Sequence, residues 1–338
     1  MVKGVLRAPL LVGGVSASLV VGEGAARLYY LFAGSSEHLQ LSVDPEVLVE
    51  PKPSITYRSR SGQTVHVNRL GLKGEEFHPR KPNEVRVLAA GDSIMAGEYL
   101  REEERLPNLL ARRIARETGK EVHVWNTAVG GYNARQTLGI LETKVRKVDP
   151  DIVLIGVCAN DYVSFRYRAY QMGNRLFVRG RDGSVARHLN FLYQRSDLFK
   201  WLYDQLHKIF MMRRGYLAYL QHRFPPADTA SLERWEEALD RMAQISKEVQ
   251  AVPLFVFFPL HSQVYRGERA VDQRLVAWAE KRGHLFLDPT PIFRKEDATG
   301  MSFYLERDIV HPNAKAFHRV SDALYELIQS AQLAGRLN

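Results

Sequence analysis

Cysteine is almost absent from this chain. Cys158 stands alone among 338 residues, which excludes an internal disulfide framework and any metal site built from several thiolates. The eleven histidines are dispersed, with no His-x-x-x-His pair, so spacing gives no expectation of a metal site, and no cofactor is expected either. Internal repeats are absent too. With 45% hydrophobic and 25% charged residues the composition is ordinary for a globular protein, and it excludes disorder, collagen and a polytopic membrane architecture. At ~150 residues per domain the length reads as one large domain or two small ones.

The formal net charge is +9, but the charge is local rather than general. Residues 162–223 hold twelve Arg and Lys against three acids, so the rest of the chain is balanced, and the same segment holds 13 of the 34 aromatic residues. A basic and aromatic segment suits an anionic membrane surface, an acidic glycan or stacking on sugar rings; it also suits ordinary amphipathic helices with a solvated basic face. No nucleic-acid-binding motif accompanies the charge, so nucleic acid is not expected as a partner.

At the amino end, Lys3 and Arg7 precede an uncharged run from Ala8 to Gly22, and apolar character resumes after Glu23 through Phe32. The run resembles a signal sequence. No lipobox cysteine is present, and Ser16-Ala17-Ser18 lies inside the apolar run, where it makes a poor cleavage site. The favoured reading of residues 1–33 is an uncleaved signal-anchor, with Val5 to Phe32 spanning and Glu23 and Arg27 one turn apart near its outer end. A cleaved signal peptide and a buried core helix are the alternatives. Early positive charge places the amino end inside and the globular part outside the membrane, an extracytoplasmic location.

Residues 34–84 carry Pro45, Pro51, Pro53, Pro79 and Pro82 and are expected as an extended linker with a short strand near Thr64 to Asn68. From Val85 the pattern alternates. Apolar runs of strand length are expected at Val85–Ala90, Val122–Trp125, Asp151–Val157, Val252–Phe258 and His284–Leu287. Helical patterns are expected through Leu109 and Ile114 and over Ala134–Lys147, Leu232–Val249, Ala270–Arg282 and Asn313–Ser330. Continuous apolar strands separated by helices predict an α/β fold, a three-layer α/β/α sandwich around a parallel sheet whose ligands bind beyond the strands' carboxyl ends. Residues 162–230 form an insertion, where a hairpin is expected from Arg175–Val178 and Val185–Leu189 around Asp182-Gly183, and a helix over Ser196–Met212 capped by Ser196.

Four short segments then fall at one edge of that sheet. Gly91-Asp92-Ser93 follows the first strand, with Ser93 at the entrance of a helix whose N–H groups favour developing negative charge. Asn126 through Gly131 follows the second strand, and a glycine N–H there can reach an anion without side-chain obstruction. Ala159-Asn160-Asp161 follows the third, where the Asn160 amide can donate to an oxyanion. Asp308-Ile309-Val310-His311-Pro312 places a carboxylate three residues before an imidazole, which it can hold in one tautomer. Alone, each reads as a helix cap, a turn or a surface pair. In one order at one sheet edge they point to nucleophilic catalysis.

In these blocks the sequence resembles the SGNH hydrolases, or GDSL esterases, over residues 85–335. The resemblance implies a flavodoxin-like sheet, Ser93 as nucleophile, His311 as general base and Asp308 as its orienting carboxylate. It also implies an oxyanion hole made by the Ser93 and Gly131 N–H groups and the Asn160 side chain. Gly130 is the alternative to Gly131, which is preferred by its spacing from Asn126. The first block departs from the family in reading Ser-Ile-Met, with Ile94 expected to face the core, and the third carries Ala159 where glycine is usual. Met95 occupies the second glycine position of a Gly-x-Ser-x-Gly elbow, which argues against the α/β-hydrolase fold. Asp92 is expected to brace the loop by accepting backbone hydrogen bonds, and His261 either to line the pocket or to be a loop histidine.

The function expected is that of a serine esterase or deacylase acting through an acyl-enzyme on a small acyl group carried by a carbohydrate or lipid. The alternatives are an O-acyltransferase using the same site, with the insertion as a lid or wall that excludes water, and a non-catalytic membrane-anchored binding protein.

Overall fold

In a computed structural model, the structure describes residues 7–33, 35–36, 38–59, 61–158, 161, 167–172, 175–180, 192, 195–214, 229–266, 270–299, 301–306, 308 and 310–331. In chain order the elements are α1 (Arg7–Ala33), β1 (Ser35–Ser36), β2 (Leu39–Leu41), β3 (Val49–Pro51), β4 (Ile55–Arg58), β5 (Thr64–Val67), β6 (Lys73–Gly74), β7 (Glu84–Ala90), α2 (Ser93–Ala96), α3 (Leu106–Thr118), β8 (Glu121–Asn126) and α4 (Ala134–Val148). There follow β9 (Ile152–Cys158), β10 (Tyr167–Met172), β11 (Arg175–Gly180), α5 (Asp197–Arg214), α6 (Thr229–Glu248), β12 (Val252–Phe258), α7 (His261–Arg266), α8 (Ala270–Arg282), β13 (Leu285–Leu287), α9 (Thr290–Glu296) and α10 (Ala314–Ser330). The chain divides into two units: residues 38–164 with 226–338, and residues 1–37 with 165–225.

The larger unit is built on an eight-stranded sheet in the order β13-β12-β9-β7-β8-β6-β5-β4. The first five of these strands are parallel, and taken by chain position they follow the 2-1-3-4-5 order of a flavodoxin-like sheet. Their apolar runs are continuous because both faces are covered. Val85, Val87 and Ala89 of β7, with Leu254, Val256 and Phe258 of β12, pack against Leu109, Leu110 and Ile114 of α3 and Phe317, Val320 and Leu324 of α10. The alternating residues Leu88, Ala90, Phe255 and Phe257 face the other way, onto Leu138 and Leu141 of α4, Leu239 and Met242 of α6 and Trp278 of α8. A strand's period of two thus feeds two cores, and three layers result.

Two features differ from the sequence expectation. Residues 34–84, read as an extended linker, contribute β4, β5 and β6, which continue the sheet as antiparallel strands: Ile55 pairs with Val67, Val67 with Lys73, and Gly74 with Trp125. Only β5 coincides with an expected strand. The others are too short, and too interrupted by Pro and charge, to show a period in the sequence. The helix after Ser93 is also broken: α2 stops at Gly97, in the left-handed region at φ 59°, and α3 starts nine residues later. A Cβ at Gly97 would lie 2.9 Å from Arg105 Cγ, so both backbone conformation and packing require glycine there.

The smaller unit holds a three-stranded antiparallel sheet, β1-β11-β10, and the helices α1 and α5. The strand expected at Arg175–Val178 is present as β11, but it pairs backwards with β10, Met172 opposite Arg175 and Tyr167 opposite Gly180. The hairpin formed by β11 therefore precedes Asp182-Gly183. Residues Val185–Leu189 lie outside the described residues. Ser196 caps α5 as expected, its Oγ accepting from the Phe199 N–H at 3.0 Å. Glu23 of α1 adds a second cap: its carboxylate accepts from Ser196 Oγ at 2.7 Å, from the N–H groups of Asp197 and Leu198 and from Arg27, an arrangement that offsets the cost of a carboxylate among apolar residues. Among the described residues, no helix is long and apolar enough to cross a membrane.

Candidate active site

The turn after β7 carries Ser93 out of the sheet at the switch point between β7 and β9, where parallel sheets of this order bind ligands. Asp92 caps α2, its Oδ1 accepting from the Ile94 N–H at 2.9 Å, which is the bracing role expected of it. Ile94 and Met95 are both buried, Ile94 in the core as expected. Met95 fills a space that only glycines leave open: a Cβ at Gly91 would lie 2.6 Å from Met95 Cγ, and one at Gly156 would overlap the same side chain. The turn is thus wedged between β7 and β9.

The second block is laced to the first. Asn126 donates through Nδ2 to the Met95 carbonyl at 2.8 Å and accepts from the Ala128 N–H at 2.8 Å; Thr127 donates its N–H to Ala89 and Val129 its N–H to Gly91. These bonds bring the glycine pair to the serine. A Cβ at Gly130 would stand 3.8 Å from Ser93 Cβ, whereas one at Gly131 would meet nothing, and Gly131 takes φ 84°. Gly130 is the residue whose Cα approaches Ser93, and Gly131, the preferred donor from sequence, is next to it in an exposed turn.

His311 arrives from the far end of the chain. Its loop is held by Leu305, whose N–H donates to the His311 carbonyl at 3.1 Å, and by Asn313, which caps α10 and donates through Nδ2 to the Ser302 and Tyr304 carbonyls. His311 Nε2 lies 3.0 Å from Ser93 Oγ, and its Nδ1 lies 2.7 Å from Asp308 Oδ2. The other Asp308 oxygen accepts the Val310 and His311 N–H groups. Burial favours a neutral Asp308, but these hydrogen bonds, led by that of His311, outweigh it and bring the carboxyl down to about 2. An ionised Asp308 fixes the His311 proton on Nδ1 and leaves Nε2 as the acceptor facing Ser93.

Ser93, His311 and Asp308 therefore come together, and Gly130-Gly131 borders them. Asn160 lies outside the described residues, as does Ala159. Its neighbour Asp161 is buried, accepts the Cys158 N–H at 2.6 Å and anchors the start of α4 through its carbonyl. Burial first, and the nearby Asp92 second, push the Asp161 carboxyl well above the usual range, and Cys158 Sγ donates to Asp92 Oδ2 at 3.2 Å. Behind the nucleophile, then, sit two buried carboxyls, Asp92 and Asp161. His261 is the first residue of α7, not a loop residue; it binds the Thr299 carbonyl at 2.7 Å and stacks on Tyr265.

Tyr99 was not singled out by the sequence. Its ring meets His311 edge-on, centroids 5.0 Å apart, and its buried hydroxyl has no hydrogen-bond partner. No sequence pattern distinguishes it from the other aromatic residues; only the return of the chain at His311 gives it a role. A cavity of about 790 Å³, lined by Asp151, Val252 and His284, opens at the opposite, amino ends of the strands and holds none of these groups.

A serine at a parallel-sheet switch point, bonded to an imidazole that is bonded to a carboxylate, defines a serine hydrolase site. Residues 89–319 match the GDSL-like lipase/acylhydrolase family, and the chain belongs to that family. It is a serine ester hydrolase. Similar solved structures include the psychrotrophic esterase EstA from Pseudoalteromonas sp. (16% identity, 73% of this chain and 98% of that one, TM-score 0.43). They also include the lipase/acylhydrolase from Enterococcus faecalis (18%, 75% and 97%, 0.44) and the acetyl xylan esterase AlAXEase (12%, 72% and 100%, 0.46). No curated protein matches the chain.

Proposed function

We propose that the chain hydrolyses an ester of a small acyl group, borne by a carbohydrate or a lipid, through Ser93, His311 and Asp308. The observation that carries this reading is the continuous relay from Ser93 Oγ to His311 Nε2 at 3.0 Å and from His311 Nδ1 to Asp308 at 2.7 Å. Ser93 Oγ attacks the ester carbonyl carbon while its proton passes to His311 Nε2. The carbonyl oxygen becomes an oxyanion, received by the Ser93 and Gly131 N–H groups and the Asn160 amide. The intermediate collapses as His311 returns the proton to the leaving alcohol, giving an acyl-Ser93. Water, deprotonated by the same nitrogen, then releases the acid and regenerates Ser93. Asp308 stays ionised throughout and stabilises the imidazolium.

Labelling of the full chain with a fluorophosphonate probe tests this. Wild type is expected to label, and Ser93→Ala and His311→Ala to lose labelling; a folded wild type that does not label overturns the reading.

The same proposal includes an anchor. No helix of the described residues is by itself long and apolar enough to cross a membrane, but Lys3, Arg7 and the uncharged run from Ala8 to Gly22 support Val5 to Phe32 as a signal-anchor with the hydrolase outside. Retention of the chain in the membrane fraction after carbonate extraction is expected, and complete release overturns it.

A further inference from the structure

We propose that Glu75, His78 and His123 form a divalent-cation site, of the mixed nitrogen and oxygen kind that takes Zn²⁺, fastening the segment after β6 to the parallel sheet. Each residue offers a donor atom, and the three atoms lie within 4.8 Å of one another. The two imidazoles meet edge to face with centroids 4.4 Å apart, and Glu75 Oε1 is in contact with His123 Nδ1. Two imidazoles and a carboxylate are a donor set that suits zinc, whose ligand distances are near 2.0–2.2 Å.

Unpartnered buried atoms border the cluster. The Glu84 side chain is fully buried; its Oε1 takes Arg86 Nε at 2.5 Å, but Oε2 has no hydrogen-bond partner and sits 3.5 Å from His123 Nε2 and 3.8 Å from His78 Nδ1. His123, 6% exposed, has an Nε2 with no hydrogen-bond partner, although the Glu121 carboxylate is also 3.3 Å away. His78 Nδ1 is 2.9 Å from the Pro79 carbonyl, to which only an N–H can donate, so the ring's neutral form presents its lone pair on the buried and unpartnered Nε2. A ring nitrogen bonded to a backbone carbonyl, with the opposite nitrogen free, is how metal-binding histidines are commonly held. Leaving such groups unsatisfied costs stability, and a cation among these atoms removes that cost.

The frame around the cluster is rigid. The Glu75 carbonyl accepts from Trp125 Nε1 and Asn68 Nδ2, and the His78 carbonyl accepts from Arg86. Dispersed in sequence, Glu75-x-x-His78 and His123 meet only because β6 pairs antiparallel with β8, Gly74 opposite Trp125. The cluster lies toward the amino ends of β7 and β8, away from Ser93, so its role is to hold the fold.

The test is equilibrium dialysis of the full chain, first stripped with chelator, against ZnCl₂, with bound metal measured by mass spectrometry and thermal unfolding followed in parallel. Wild type is expected to take up one equivalent and to melt higher with Zn²⁺. His78→Ala and the more exposed Glu75→Gln, each folded by circular dichroism, are expected to bind at least ~10-fold more weakly and to lose the shift in melting temperature. A folded wild type that binds no Zn²⁺, or binding unchanged in both variants, overturns the proposal and leaves a cluster held by protons alone.

Discussion

Met95 lies so close over Gly156 that any side chain at the glycine would overlap it, and the same methionine closes over Gly91, where a Cβ would come within 2.6 Å of its Cγ. The turn that presents Ser93 is therefore positioned by a contact between the short helix after β7 and the neighbouring strand β9. Gly156→Ala is expected to cost about 1–3 kcal/mol through overpacking, and Met95→Ala about 2–5 kcal/mol through the cavity it leaves. The double variant is expected to be more stable than the two single losses added together, because the new methyl occupies part of the vacated space. Urea unfolding of the three variants measures this, and strict additivity would contradict the contact.

Asp308 gives a prediction with a pH sign. Its carboxyl titrates at about 2 in the folded chain, below the ~3.9 of an unfolded aspartate, so folding favours the ionised form. That contribution is complete above the unfolded value and is lost as pH falls toward about 2. The stability difference between wild type and Asp308→Asn is therefore expected to be constant near neutrality and to shrink from pH 4 downward. Acid titrations followed by circular dichroism check this. At pH 7 the same variant is expected to lose on the order of 10⁴ in kcat toward an activated acetate ester, through the wrong His311 tautomer.

The edge of the Tyr99 ring against His311 separates the work of an aromatic ring from that of its hydroxyl. The hydroxyl is buried without a partner, so Tyr99→Phe is expected to be neutral or slightly stabilising. Tyr99→Ala removes the wall that holds the imidazole and is expected to lower kcat with KM little changed, and to leave the variant folded. Steady-state kinetics with a soluble ester measures both, and a Phe variant as impaired as the Ala variant would assign the hydroxyl a direct part.

Much of the catalytic centre is legible in the chain because its parts are short, local and ordered. Gly91-Asp92-Ser93 follows a continuous apolar run, and Asp308 with His311 precedes a helix that Asn313 caps. Each block places its residue at a strand or helix end, and all such ends of a parallel sheet share one edge. The core strands are equally legible, since burial on both faces writes unbroken apolar runs into β7, β9 and β12.

What the tertiary structure decided concerns partners rather than elements. Strands β4 and β6 are too short to announce themselves, and their places come from hydrogen bonds donated across the sheet. β11 pairs with β10, on its amino side, and not with a later segment. The wedge of Met95, the burial of Asp161 beside Asp92, the wall made by Tyr99 and the cluster of Glu75, His78 and His123 all join residues far apart in sequence. Periodicity and capping are local and survive in the order of amino acids; burial and contact between distant segments exist only once the chain has folded.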